Sequence, residues 1–142
     1  MSLSQRRGFT ARLAELPPAI EFVEAFCLTH ATATVDALRL VLMVEELFTN
    51  TVTHGHGGDC DATVHLGLDL GDTTLTLVYE DAAPYFDPLE YVAAHAHERV
   101  AGLDARPVGH LGLPLVLEMA SSASHEWTGE GNRLHLVLLR SG

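Results

Sequence analysis

The sequence predicts an α/β fold of the α+β kind: a two-layer sandwich with helices on one face of a mixed, mostly antiparallel sheet. Three observations carry this. "ATVHLGLDL" and "TTLTLVYED" alternate apolar and polar residues and are joined at Gly71 and Asp72, the pattern of an antiparallel hairpin with one face in a core. Ala37 to Val52 is apolar enough to be a buried helix. The order of elements, strand, helix, helix, two strands, long loop, helix, two strands, layers helices against a sheet rather than interleaving them. A chain of 142 residues with 47% hydrophobic content suits a single domain, residues 1–142.

The elements follow in order. A short first strand is expected near Phe9 to Leu13. A helix then runs from Pro17 or Pro18, residues suited to a first turn, through Cys27. The second helix is expected to be capped by Thr34 and to run to about His54, where Gly55 supplies a stop. After the hairpin, Leu89 to Val108 combines short helical potential with small residues, Gly102 and Pro107, and reads as a loop or lid. "LGLPLVLEMASS" suits a helix with Pro114 in its first turn. "SHEWTG" and "RLHLVLLR", separated by "EGN", close the sheet.

Composition excludes several classes of function. The 19 acidic residues against 8 basic ones, a formal charge of -11, repel a phosphate backbone, so direct nucleic-acid binding is not expected. All eight basic residues are Arg, so a bound phosphate must be met by Arg, backbone N–H groups or a metal ion. The first residues have no apolar stretch of signal-peptide length, and no later run reaches the roughly 18 residues that span a bilayer, so a cytoplasmic protein without membrane contact is expected. Cys27 and Cys60 sit in no metal or redox spacing.

Within this frame "VEELFTNTVTHG", residues 44 to 55, is anomalous. Glu46, Asn50 and His54 fall at i, i+4 and i+8 and share one stripe, while Val44, Phe48 and Val52 point the other way. The bland account is the solvated side of an amphipathic helix. The apolar turns from Leu38 to Met43 favour a groove lined by polar groups instead, because an unpaired buried polar group costs roughly 1–3 kcal/mol. Asn50 can offer a neutral oxygen to Mg²⁺, and Glu46 can accept a proton.

Two further stretches fit a nucleotide. "VGHLGLPLV" places glycines at a helix entry, where backbone N–H groups can approach an anion, with Arg106 just before it. "YEDAAPYFDP" puts Asp81 at the end of an apolar strand, where its carboxylate can accept from an exocyclic amine such as that of adenine. Glycine at a loop and Asp at a strand end are each, taken alone, more often structural.

Together, in this order, the pieces resemble the Bergerat-fold ATPases of the GHKL superfamily, most closely the anti-sigma-factor serine/threonine kinases of the RsbW type. "EELFTNTVTHG" looks like that family's N box, "EDAAPYFDP" is similar to its G1 box, "RPVGHLGLPLV" to its G2 box, and "EGNRLHLVL" to its closing strand. The resemblance implies ATP and Mg²⁺ as cofactors. It also implies roles: Glu46 as general base, Asn50 as Mg²⁺ ligand, Asp81 on the adenine with Ala83 beside it, and Arg106, Gly109, Leu111 and Gly112 around the phosphates. It implies as partners a STAS-type antagonist phosphorylated on serine, a sigma factor held alternately, and a second copy in a homodimer.

The chain departs from the family pattern at three positions. Ala83 stands where the G1 box usually has Gly, and its methyl is expected to crowd the turn or the nucleotide; Tyr85 stands where a small residue or Pro is usual; His110 replaces a Gly. The rival reading is a nucleotide-binding or nucleotide-free module that sequesters a partner without phosphorylating it. A histidine-kinase catalytic domain is disfavoured because no helices bearing a phosphoacceptor His precede the domain. His54, His56 and Cys60, with His95 and His97, match no tetrahedral zinc spacing, and solvated or capping histidines are expected. Trp127 and Tyr91 are expected to be packing residues, with contact to a partner as the lesser alternative.

Overall fold

The structure is a computed structural model that describes residues 3–95 and 112–141. Its strands are β1 (Leu3–Thr10), β2 (Thr63–Leu70), β3 (Thr74–Asp81), β4 (Ser122–Trp127) and β5 (Asn132–Leu139). Its helices are α1 (Leu16–Thr29), α2 (Thr34–Asn50), α3 (Pro88–Ala94) and α4 (Leu113–Met119). The sheet order is β1-β2-β3-β5-β4, and every neighbouring pair is antiparallel, so among the described residues the sheet is antiparallel throughout rather than mixed.

Period-two alternation decides which face is covered. Val64, Leu66, Leu68 and Leu70 of β2, Leu75, Leu77 and Tyr79 of β3, and Leu134, Leu136 and Leu138 of β5 are buried. They meet Val23 and Phe26 of α1 and Leu40, Met43, Val44 and Phe48 of α2 in one core. Each such side chain contributes roughly 1.5–3 kcal/mol when fully buried. The opposite face carries the alternate residues, among them an ion-pair row: Glu80 meets Arg6 at 3.3 Å and Arg133 at 3.4 Å, and Arg133 meets Glu126 at 2.9 Å. Among the described residues, helices therefore cover one face only.

Several boundaries differ from the sequence expectation. β1 starts at Leu3, not Phe9, because its exposed residues are held by a backbone ladder to β2 that needs no apolar alternation. The N-cap of α2 is Ala33, with no side-chain cap, and Thr34 is already helical. Nearby, Asp36, 1% exposed, accepts from the Ser141 N–H at 2.8 Å and its hydroxyl at 2.9 Å, tying the end of β5 to the start of α2. α2 ends at Asn50, and Thr51–Gly55 continue as a wider π turn closed by the His56 N–H on the Thr51 carbonyl at 2.9 Å. β4 begins two residues early, at Ser122.

The expected lid begins as α3, capped by the Asp87 carboxylate accepting from the Leu89 N–H at 2.9 Å; its remainder, from residue 96, lies outside the described residues. Tyr91 packs on Phe86 and His95, and Trp127, 44% exposed at the end of an edge strand, packs on Tyr85. Among the described residues no helix is long and apolar enough to cross a membrane, and no three His, Cys, Asp or Glu side chains are placed to hold a metal ion.

Candidate functional site

The π turn places the site. By widening the last turn of α2 it brings Thr51, His54 and Gly55, with Asn50, to one wall of a cavity of about 240 Å³. The loop after β3 supplies the other wall through Asp81, Ala83, Tyr85 and Phe86, and Asn132 closes it from the start of β5. That volume lies below the roughly 300–1,000 Å³ of a pocket for a whole small-molecule ligand, and suits one ring system of a larger one.

Asp81 is held by both carboxylate oxygens. Its Oδ1 accepts from the Asn132 Nδ2 at 2.9 Å and from the Ala83 N–H at 3.2 Å; its Oδ2 accepts from the Thr51 hydroxyl at 2.9 Å. The Thr51 oxygen also lies 2.7 Å from the Tyr79 hydroxyl, which is 3.1 Å from the Leu47 carbonyl. Burial pushes the Tyr79 phenol well above its ordinary range, so it stays protonated and can donate. The Leu47 carbonyl already accepts the Thr51 N–H, so the arrangement that leaves no group unpaired runs Tyr79 to Thr51 to Asp81.

Asn132, 8% exposed, organises the loop. Its Nδ2 faces Asp81 Oδ1 and the carbonyls of Ala83 (3.3 Å) and Pro84 (3.0 Å), and its Oδ1 accepts from the Phe86 N–H at 3.0 Å. Just before it, Gly131 approaches so closely that a Cβ there would overlap the Asp81 carbonyl.

Asn50 and Glu46 stand one turn apart on α2. The Asn50 Oδ1 is buried and has no hydrogen-bond partner among the described residues, an orphaned acceptor of the kind that signals a ligand. Glu46 does not line the cavity around Asp81. Its carboxylate instead packs against Gly112, where a Cβ would collide with it. Burial, then the charge of Glu45, raises the Glu46 carboxyl above its ordinary value.

The sequence profile of the histidine kinase-like ATPase domain matches residues 9–138, from the end of β1 almost to the end of β5. The chain belongs to that family. No curated protein matches the sequence. Membership implies an ATP site, and in this histidine kinase-like ATPase domain the residues named from sequence stand as follows. Asp81, Ala83 and Asn50 share one cavity, and Glu46 and Gly112 are in contact beside it. Arg106, Gly109, Leu111 and His110 lie outside the described residues.

At the turn, Ala83 is accommodated without strain, while its side chain remains part of the cavity wall. Its backbone is not in the left-handed region, and its methyl faces Gly55, where a Cβ would come within 2.8 Å of it. Tyr85 forms the rim: it is 55% exposed, its hydroxyl donates to Glu90 at 2.7 Å, and its ring lies against His125 and Trp127. Thr51, Tyr79, Gly131 and Asn132 were not singled out from sequence. Thr51 was the most findable, because a hydroxyl at the end of an apolar helix needs a partner.

Proposed function

We propose that this domain binds ATP with Mg²⁺ and phosphorylates serine or threonine on a STAS-type antagonist, serving as an anti-sigma regulatory factor that alternately holds a sigma factor. The observation that carries the reading is the juxtaposition of a raised carboxyl, Glu46, an orphaned amide oxygen, Asn50, and a glycine, Gly112, beside a ring-sized cavity floored by Asp81. In this reading Asp81 accepts from the exocyclic amine of the base. Asn50 supplies an oxygen to the metal, and Arg106 with the main chain at Gly109, Leu111 and Gly112 meets the phosphates. Glu46 takes the proton of the acceptor hydroxyl as it attacks. Mg²⁺ supplies neutralisation of charge on the transferring phosphoryl group. The working form is a homodimer in the cytoplasm.

Calorimetry with ATP and Mg²⁺ on the unmodified protein and on Asn50→Ala tests this, followed by phosphotransfer to STAS-type proteins. Binding that is lost in the variant, with label passing to a serine, is expected. Absence of heat from the unmodified protein would refute it. The second reading is a sequestering module without transfer, favoured by Asp81 having both oxygens engaged within the protein; binding without transfer selects it.

A further inference from the structure

The loop after β3 and the strand β4 meet at His125, whose side chain is 3% exposed and which no motif explains. Its Nε2 lies 2.9 Å from the Asn132 Oδ1. The Asn132 amide has only one workable orientation: its Nδ2 faces Asp81 Oδ1 and two carbonyls, and its oxygen faces the Phe86 N–H. The His125 Nε2 therefore carries a proton and donates it. On the other side of the ring, Nδ1 lies 3.7 Å from Asp87 Oδ2, beyond hydrogen-bonding distance, and Tyr85 packs edge-on at 5.3 Å.

We propose that His125 and Asn132 are positioning residues that set which purine the cavity selects. The inference rests on the reading of this cavity as a nucleotide site. An ionised carboxylate only accepts hydrogen bonds. With Oδ1 taken by Asn132 and the Ala83 N–H, and Oδ2 already accepting from Thr51, Asp81 cannot rotate without breaking three bonds. The remaining acceptor capacity of Oδ2 is held in one direction, which rewards a 6-amino group and opposes a 6-oxo group. His125 acts one step back, by keeping the Asn132 Nδ2 turned to Asp81. Without its donor, the Asn132 oxygen keeps only the Phe86 N–H, and the grip of the amide on Asp81 Oδ1 loosens.

The test measures Kd for ATP and for inosine triphosphate in the unmodified protein, His125→Leu, His125→Gln and Asn132→Leu, with thermal unfolding of each. The unmodified protein is expected to prefer ATP by roughly 10- to 100-fold, the range of a hydrogen bond to a charged group. In His125→Leu and Asn132→Leu that ratio should fall to within about 3-fold through weaker ATP binding, while inosine triphosphate affinity holds. His125→Gln, whose Nε2 can donate to the same oxygen, should keep most of the ratio; a purely structural role would not separate Gln from Leu in this way. Unchanged ratios in both Leu variants overturn the proposal while leaving ATP binding intact. Absence of ATP binding by the unmodified protein overturns the nucleotide site itself and this inference with it. If Asn132→Leu does not fold, the ratio in His125→Leu decides alone.

Discussion

The Glu46 carboxylate lies against Gly112 so closely that no Cβ fits between them. The Glu46 carboxylate on α2 and the N-cap of α4 are thereby fixed relative to each other. Gly112→Ala is compatible with the local backbone, at φ -82 and ψ -15, so its effect should fall on Glu46 rather than on folding. We expect thermal unfolding to move little and phosphotransfer to fall by about 10²-fold or more, approaching the loss in Glu46→Gln. A Gly112→Ala protein with normal turnover would show that the contact has no catalytic role.

The raised Glu46 carboxyl gives opposite pH trends for stability and turnover. Burial and Glu45 lift it above 4.5, so the folded state binds this proton more tightly than the unfolded chain does. The stability it contributes is complete below the unfolded value and is lost as pH rises through the folded one. On the proposed role of Glu46 as base, turnover needs its ionised form and should rise over the same interval. Unfolding temperatures of the unmodified protein and Glu46→Gln, compared from pH 4 to pH 8, should therefore diverge in favour of Gln as pH rises. Parallel curves would contradict the shift.

Much of this was legible in the sequence because burial leaves a period. Val64 to Leu70 and Leu75 to Tyr79 alternate, and the hairpin is where the alternation puts it. The family boxes were recognisable for a related reason: Glu46, Asn50 and Asp81 are polar residues on otherwise apolar elements. What escaped depends on contacts with no local signal. β1 has six exposed residues, so its ladder to β2 left no pattern. The π turn is a change of hydrogen-bond partner, not of residue type. Asn132 looked like a turn residue, and only its distances to Asp81, Phe86 and His125 reveal it as the centre of the loop.

Asp36 offers a stability test remote from the site. Its buried carboxylate holds the Ser141 N–H and hydroxyl, with Arg39 at 3.3 Å. Asp36→Ala leaves the Ser141 N–H unpaired and should cost roughly 1.5–3 kcal/mol in chemical denaturation. Nucleotide affinity should be unchanged, because Asp36 begins α2 and Asn50 ends it. A cost near zero would show that solvent replaces these bonds.

Thr51→Val separates the hydroxyl from the shape of the side chain. Val fills nearly the same space but gives Asp81 Oδ2 no donor and takes the intermediate step out of the run from Tyr79. The loss of a bond to a charged acceptor in a buried setting predicts roughly 1–3 kcal/mol of destabilisation, with weaker ATP binding as the carboxylate is freed. Calorimetry and denaturant titration on one sample read both. Unaltered ATP affinity would mean that Asn132 and the Ala83 N–H suffice to hold Asp81.

Gly55 and Ala83 form the sharpest pairwise test, because one lacks the methyl that the other carries. A Cβ on Gly55 would stand 2.8 Å from that of Ala83, well inside carbon contact distance, and both positions line the cavity. Gly55→Ala alone should therefore overpack the wall and cost roughly 1–3 kcal/mol. Ala83→Gly alone removes a buried methyl and loosens the loop, costing about 1 kcal/mol. Combined, they move the methyl across the gap, and the double variant should be more stable than the sum of the single losses by about 1 kcal/mol or more. Additive losses in a denaturation cycle would show that the two walls do not touch, and that Ala83 is accommodated by some route other than the absent side chain of Gly55.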